Sequence, residues 1–379
     1  MRRWAELGDL RRLMKLLLLL PCVHAWLDTG HLLVAEIAKT QLAASQVAAF
    51  DGLLEKWAQD FPGMSDFVSS SVWPDHIKCT RAGRPMCDGL PPAGLNEFDT
   101  WHYVDLDFNP DHVQVEQQNP YQNPSAVWAL AQAMRTFQTS RSEWALNFML
   151  RFVLHIVGDL HQPLHCAEGL FNDTKFGDVM GDRGGNLIRI RTQWRELTNL
   201  HLLWDAAGGL YMAEWPFSSE QQAQLRRNAS QIMKRFPRSS LKELNAADMS
   251  CYPSSDCAAV FRGWVKDVHA LAIQDAYRGV RAGAEPSAAY LARVREVSRR
   301  QLALAGYRLA DLLAAVSPSL PTPAAEGNNT LGNTLNIQAI CALQGLLLVI
   351  FGAMLFRQRL ARQPAPSERG RSLLECGEV

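Results

Sequence analysis

His155 and Asp159 lie four residues apart in "LHIVGDL", and His201 and Asp205 repeat that spacing in "NLHLLWD". Residues i and i+4 share one face of a helix, so each pair would aim an imidazole and a carboxylate at one point. Either pair alone could be two polar groups that satisfy each other in a core. The same chemistry recurs, however. His165 stands in "GDLHQPLH", His102 and Asp105 in "TWHYVD", Asp75 in "VWPDHIK" and His31 in "WLDTGH". Burying so many imidazoles and carboxylates unpaired is very costly. Divalent cations offset that cost, and mixed nitrogen and oxygen donors suit zinc. The joint pattern predicts a zinc centre rather than a set of core histidines.

Helices must position these groups. In "SRSEWALNFMLRFVLHIVGDL", Ser140 and Glu143 read as a capping box. Trp144, Phe148, Phe152, His155 and Asp159 then follow at helical steps on one face. Pro163 ends that helix. "HLLVAEIAKTQL" and "AFDGLLEKWAQDF" have helical periodicity, and "YLARVREVSRRQLALAGYRLADLLAAV" reads as a last amphipathic helix with its arginines on a solvated face. The best strand signal is "LIRIRTQW". The expected fold is mainly α, a single multi-helix domain over residues 26–315.

Lys plus Arg and Asp plus Glu both total 38. Zero net charge argues against a broad basic surface for nucleic acid, but not against a phosphate held by metal ions. Residues 1–25 read as a secretory signal: a basic start, the apolar Leu16–Leu20, Pro21, and Val23 and Ala25 at a cleavage site. Trp26 would become the new N-terminus. Residues 316–336 are rich in Pro, Asn, Gly and Thr and read as a stalk. Residues 337–356 are uncharged and long enough to span a bilayer. Arg357, Arg359 and Arg362 then assign residues 357–379 to the cytosol. The expectation is a type I single-pass protein of the secretory pathway, its catalytic domain extracellular or lumenal. A lipid-anchor signal fits less well, because 23 residues follow Phe356. Cys79 with Cys87 and Cys251 with Cys257 are local disulfide candidates, leaving Cys166 over. Asn172, Asn228 and Asn328 head glycosylation sequons.

The motifs "WLDTGH", "WPD", "WHYVD", "HIVGDLHQPLH", "GDRGGN" and "NLHLLWD" occur in the order found in class I nucleases. The chain resembles these three-zinc, single-strand-specific enzymes, and most closely the membrane-anchored 3′-nucleotidase/nucleases. The resemblance implies three zinc ions in a fold shared with zinc phospholipase C. One ion would take Asp75, His102, His155 and Asp159. A second would take His165, His201 and Asp205. The third would take His31, Asp159 as a bridging carboxylate, and the α-amine and carbonyl of Trp26. An α-amine titrates near pH 8, so a metal can claim its lone pair at modest cost.

The resemblance also implies function. A metal-bridging hydroxide would cleave 3′-nucleotides and single-stranded RNA or DNA, giving nucleosides and 5′-nucleotides. On a cell surface this would serve purine salvage. Lys78 stands where fungal members carry an arginine, keeping the charge but not the bidentate fork. Its other reading is a surface lysine. Tyr103 would stack on a base and Asp105 contact it, with core packing the alternative for Tyr103. Asn186 would line the site; the other reading is that its loop's glycines only shape a turn. His161 would support the ligands from behind. A zinc-dependent phospholipase C is the alternative enzyme and a non-catalytic receptor the alternative class; "WHYVD" and the full ligand set favour the nuclease. No protein partner is evident.

Overall fold

The computed structural model describes residues 26–321, apart from 80–94, 117–118, 122–123, 173–180, 245–247 and 254–255. The signal segment 1–25, Cys87, Asn328, most of the stalk, the apolar run 337–356 and the tail lie outside the described residues. Among those described, no helix is long and apolar enough to cross a membrane.

Two helices of opposite ends of the sequence form the centre. Helix α1 (Asp28–Gln41) buries most of its residues and packs against the long α9 (Ala288–Val316). Gly306 permits that approach, since a Cβ there would lie 2.4 Å from Ile37 Cγ2. Around this pair stand α2 (Ala44–Glu55), α4 (Ala126–Thr139), α5 (Glu143–Asp159), α7 (Ser219–Arg235) and α8 (Ala258–Leu271). The short α3 (Trp73–His76) and α6 (Leu200–Asp205) carry site residues. A parallel pair, β1 (Asp107–Phe108) and β2 (Glu168–Gly169), is the whole sheet among the described residues. The mainly α expectation therefore holds.

Helix α5 is apolar almost all round because it is buried almost all round from Leu146 onward. Its one buried cation, Arg151, donates to Asn147 Oδ1 at 2.9 Å and to the Met64 carbonyl, and lies 3.5 Å over the Phe61 ring. Trp144 is the exception on the apolar stripe, at 44% exposure.

Several local expectations need correction. The cap of α5 is Ser142, whose Oγ accepts from Ala145 N at 3.4 Å, while Ser140 accepts from Ser142 N. Glu143 pairs with Lys56 instead of closing a capping box. Residues 187–194 alternate in burial as a strand would, with Ile188 and Ile190 inside, but make only the single bridge Arg189–Asn199. The arginines of α9 are only in part a solvated face: Arg293 stays exposed while it pairs with Asp275 at 2.8 Å, Arg300 pairs with Glu243 at 2.5 Å, and Arg308 is buried. Helix α9 runs to Val316, and Ser319 Oγ lies 2.6 Å from Tyr252 Oη.

Cys251 and Cys257 form a disulfide. Cys79 is also disulfide-bonded, and Cys166 is a buried free thiol. Asn172 is exposed and donates to the Asp111 carbonyl; Asn228 is partly buried on α7, its Oδ1 accepting from Gln224.

Candidate metal centre

The chain enters the site at Trp26, whose side chain is fully buried and whose Nε1 donates to the Gly158 carbonyl at 2.9 Å. Trp26 packs in the larger apolar core and Leu27 in the smaller one, so the chain crosses between the two cores here. Two glycines make room. A Cβ on Gly30 would lie 2.5 Å from Trp26 Cβ, and one on Gly158 would lie 2.9 Å from His31 Nδ1. Trp26, His31 and the end of α5 therefore meet at one point.

Three histidines are fixed by backbone carbonyls. Nδ1 of His155 faces Ser71 O at 2.6 Å, that of His165 faces His102 O at 2.7 Å, and that of His201 faces Gly184 O at 2.6 Å. A carbonyl can only accept, so each Nδ1 carries the proton and each Nε2 keeps its lone pair. Yet Nε2 of His165 lies 3.1 Å from Nε2 of His201. Two lone pairs face each other there, which is repulsive unless a cation lies against both.

The carboxylates complete three groups, all buried: His31, His155 and Asp159; Asp75, His102 and His155; and His165, His201 and Asp205. Asp159 stands in the middle. Its Oδ1 is 3.4 Å from His31 Nε2, and its Oδ2 is 3.1 Å from His102 Nδ1 and 3.3 Å from His155 Nε2. Asp75 Oδ1 is 3.7 Å from both latter nitrogens, and Asp205 Oδ2 is 3.6 Å from His201 Nε2. Donors at bonds of about 2.0–2.2 Å around a tetrahedral ion stand roughly 3.3–3.6 Å apart. The observed separations fit that spacing.

No hydrogen bond reaches either nitrogen of His31, either oxygen of Asp159, or Oδ2 of Asp205. Such buried orphans call for a ligand. Burial, then the neighbouring His155, holds His31 well below the usual imidazole value; burial, then Lys78, does the same for His102. Burial takes His155 down to about 4. The carboxyls move oppositely: burial, then Asp75, pushes Asp159 well up, and burial does so for Asp205. Uncharged imidazoles with inward lone pairs beside desolvated carboxyls form a donor set for divalent cations.

Lys78 is buried, not a surface residue, and its Nζ donates to Asp75 Oδ1 at 2.8 Å. Tyr103 and Asp105 line an open cleft of about 520 Å³. Burial, then Asp105, raises Tyr103 to about 12. The Asp105 side chain reaches solvent, yet protein surrounds most of it; lost hydration, then Asp182 and Asp107, raises it to about 7. Asn186 folds back on its own loop, Nδ2 donating to Arg183 O at 3.0 Å. His161 turns away from the donors. Its Nδ1 donates to Val157 O, and its Nε2 lies 2.9 Å from Arg308 Nη1.

Sequence reasoning missed three contributors. Gln162 Nε2 donates to Asp205 Oδ1 at 2.6 Å and its Oε1 accepts from Leu164 N, so it orients a carboxylate of the third group. Its place inside "HQPLH" was the available signal. Glu168 and Asp182 stand near Asp105 and are raised to about 8 and about 6, chiefly by burial. Both are distant from Asp105 in sequence; Glu168 left no local trace, while Asp182 stands within "GDRGGN".

A family model described as S1/P1 Nuclease matches residues 26–317. The chain is 27% identical over 189 residues to Endonuclease 2 of Arabidopsis thaliana, covering 49% of this chain and 57% of the relative. It is 30% identical over 184 residues to Endonuclease 4 of the same plant, covering 48% and 54%. It is 30% identical over 199 residues to Nuclease S1 of Aspergillus oryzae, covering 49% and 57%. The chain thus spans little more than half the length of these relatives.

Proposed function

The chain belongs to the S1/P1 nuclease family, and from that premise we propose that it is a zinc-dependent 3′-nucleotidase/nuclease. Its substrates are 3′-nucleotides and single-stranded RNA or DNA, and its products nucleosides and 5′-nucleotides. The observation that carries the proposal is the buried set of inward-facing donors, above all the opposed Nε2 lone pairs of His165 and His201, beside a cleft lined by Tyr103 and Asp105.

Asp75, His102, His155 and Asp159 would hold one zinc ion; His165, His201 and Asp205 a second; and His31, Asp159 and the Trp26 terminus the third. When bound, zinc lowers the pKa of water and polarises phosphoryl oxygens. The chain's own groups do the rest. The carbonyl bonds of Ser71, His102 and Gly184 fix which imidazole nitrogen faces the centre. Lys78 supplies a buried cation against charge developing on phosphate. Tyr103 offers a ring to an unpaired base, which only a single strand exposes. Asp105 receives the base edge, and Asn186 keeps its loop in shape beside His201.

We also propose cleavage after Ala25 and membrane attachment through residues 337–356, with residues 357–379 cytosolic. These rest on the basic and apolar leader and on the arginines that follow the apolar run. Purine supply to the cell would be the use of such an enzyme at a surface.

The deciding experiment gives the purified, zinc-quantified protein adenosine 3′-phosphate, adenosine 5′-phosphate, single-stranded RNA and phosphatidylcholine. Hydrolysis of the first and third is expected. Hydrolysis of phosphatidylcholine alone would replace the proposal with the phospholipase C alternative. Within the same assay, Lys78→Ala should lower kcat on adenosine 3′-phosphate by roughly 100-fold, the scale of losing one transition-state donor. KM and zinc content should change little, and Lys78→Arg should retain activity. An unchanged kcat in Lys78→Ala would confine Lys78 to orienting Asp75.

A further inference from the structure

Helix α4 and the start of α8 enclose a second pocket of about 390 Å³. It falls in the size range of small-ligand sites, and its lining shares no residue with the Tyr103 cleft. Its walls combine two chemistries. Trp128 is a large aromatic left 37% exposed on α4, and Tyr121 has a buried Oη with no hydrogen-bond partner. Arg135 and Arg262 are exposed, and among the described residues neither is paired with a carboxylate. Arg262 lies 5.4 Å over the Tyr121 ring. The acidic residue of the lining, Asp256, already accepts from Ala258 N at 2.9 Å. A ligand suited to these walls has a flat ring to lie on an indole and an anion to meet guanidinium groups.

The pocket adjoins the centre through one stretch of chain. Asn119, Pro120 and Ser125 line the Tyr103 cleft, while Tyr121 and Trp128 line this pocket. Ala126 N donates to Tyr103 O at 3.1 Å. The Trp128 ring packs 5.6 Å from that of Trp101, the residue before His102.

We propose that this pocket is a second nucleotide-binding site, which holds a neighbouring nucleotide of a single-stranded substrate. The proposal rests on the nuclease function above. Trp128 carries the base by stacking, which tolerates any sequence. Arg135 and Arg262 take phosphate oxygens through their planar forks. The site therefore favours oligonucleotides over mononucleotides without touching the reacting atoms.

The test uses the zinc-loaded protein, a single-stranded tetranucleotide with phosphorothioate linkages as a slowly cleaved probe, and adenosine 3′-phosphate. Arg135→Gln with Arg262→Gln should weaken tetranucleotide binding at least about tenfold. The slope of log affinity against log salt should fall by about 1.4, the value for two phosphate contacts on a single strand. Trp128→Ala should weaken the tetranucleotide by about 5- to 150-fold, the range for one stacked base. KM for adenosine 3′-phosphate should stay at the parent value in the double arginine variant. A double variant with the parent's tetranucleotide affinity and salt slope overturns the proposal, as does an equal loss on the mononucleotide. A parent that hydrolyses adenosine 3′-phosphate but binds the tetranucleotide no more tightly removes this pocket and leaves the centre's function standing. A parent inactive on both substrates removes both.

Discussion

Asp159→Asn is expected to lower hydrolysis of both adenosine 3′-phosphate and single-stranded RNA by about 10³-fold or more, the scale of losing a principal electrostatic group. Both Asp159 oxygens are buried without a hydrogen bond. One faces His31 and the other faces His102 and His155. An amide keeps the shape but removes the charge and turns one acceptor into a donor. Two of the proposed zinc positions lose a ligand together, so zinc content should fall with activity. Stability separates this from simple damage. Without metal, Asp159 is a desolvated carboxylate near Asp75, and neutralising it should raise the melting temperature of chelator-treated protein. With zinc, the parent gains stability by binding and the variant gains less. Thermal melts with and without chelator, beside zinc analysis, check both signs. A variant with parental turnover and full zinc would remove Asp159 from the centre.

Much of this centre was legible because its donors come in local pairs. His155 with Asp159 and His201 with Asp205 each sit on one helix, and helical spacing alone brings each pair together. What joins the pairs is not local. The carbonyls of Ser71 and Gly184 that set the imidazole tautomers could come from any residue type, so no side chain marks them. The errors have similar causes. Ser140 and Ser142 both precede acidic Glu143 closely enough to pose as caps. The run 187–194 has the alternation of a strand, and its burial does alternate, but its backbone bonds are split between residues 198–200 and residues 283–284, so no regular ladder forms on one neighbour. The real strands, two residues each, are too short to have a pattern. The pairing of the α9 arginines left no mark because their partners Asp275 and Glu243 lie on other segments.

Retaining Ala25 should cost the enzyme one zinc ion and most of its activity. In a chain that begins at Trp26, the α-amine has a lone pair to give. With Ala25 in place that nitrogen is an amide, whose lone pair is delocalised into the carbonyl and which binds metal poorly. The surroundings leave little freedom to compensate. Trp26 is fully buried, its indole donates to Gly158, and Gly30 and Gly158 have no room for a side chain beside it and His31. The residue is therefore anchored by its indole, and the proposed ligand is its terminus. The two roles separate by mutation. Trp26→Phe keeps the amine and carbonyl but loses the bond to Gly158 and part of the packing, so it should lower stability by about 1–3 kcal/mol with a smaller loss of zinc. The Ala25-extended form keeps the indole and should fold, yet bind less zinc and turn over adenosine 3′-phosphate at least about tenfold more slowly, the usual scale for one weakened metal contact. Signal removal would then activate the enzyme as well as serve its targeting. Both forms need N-termini verified by mass spectrometry before metal content, melting temperature and turnover are compared. If the extended form has full zinc and full activity, the third ion draws its remaining ligands from elsewhere and the terminus has no part in it.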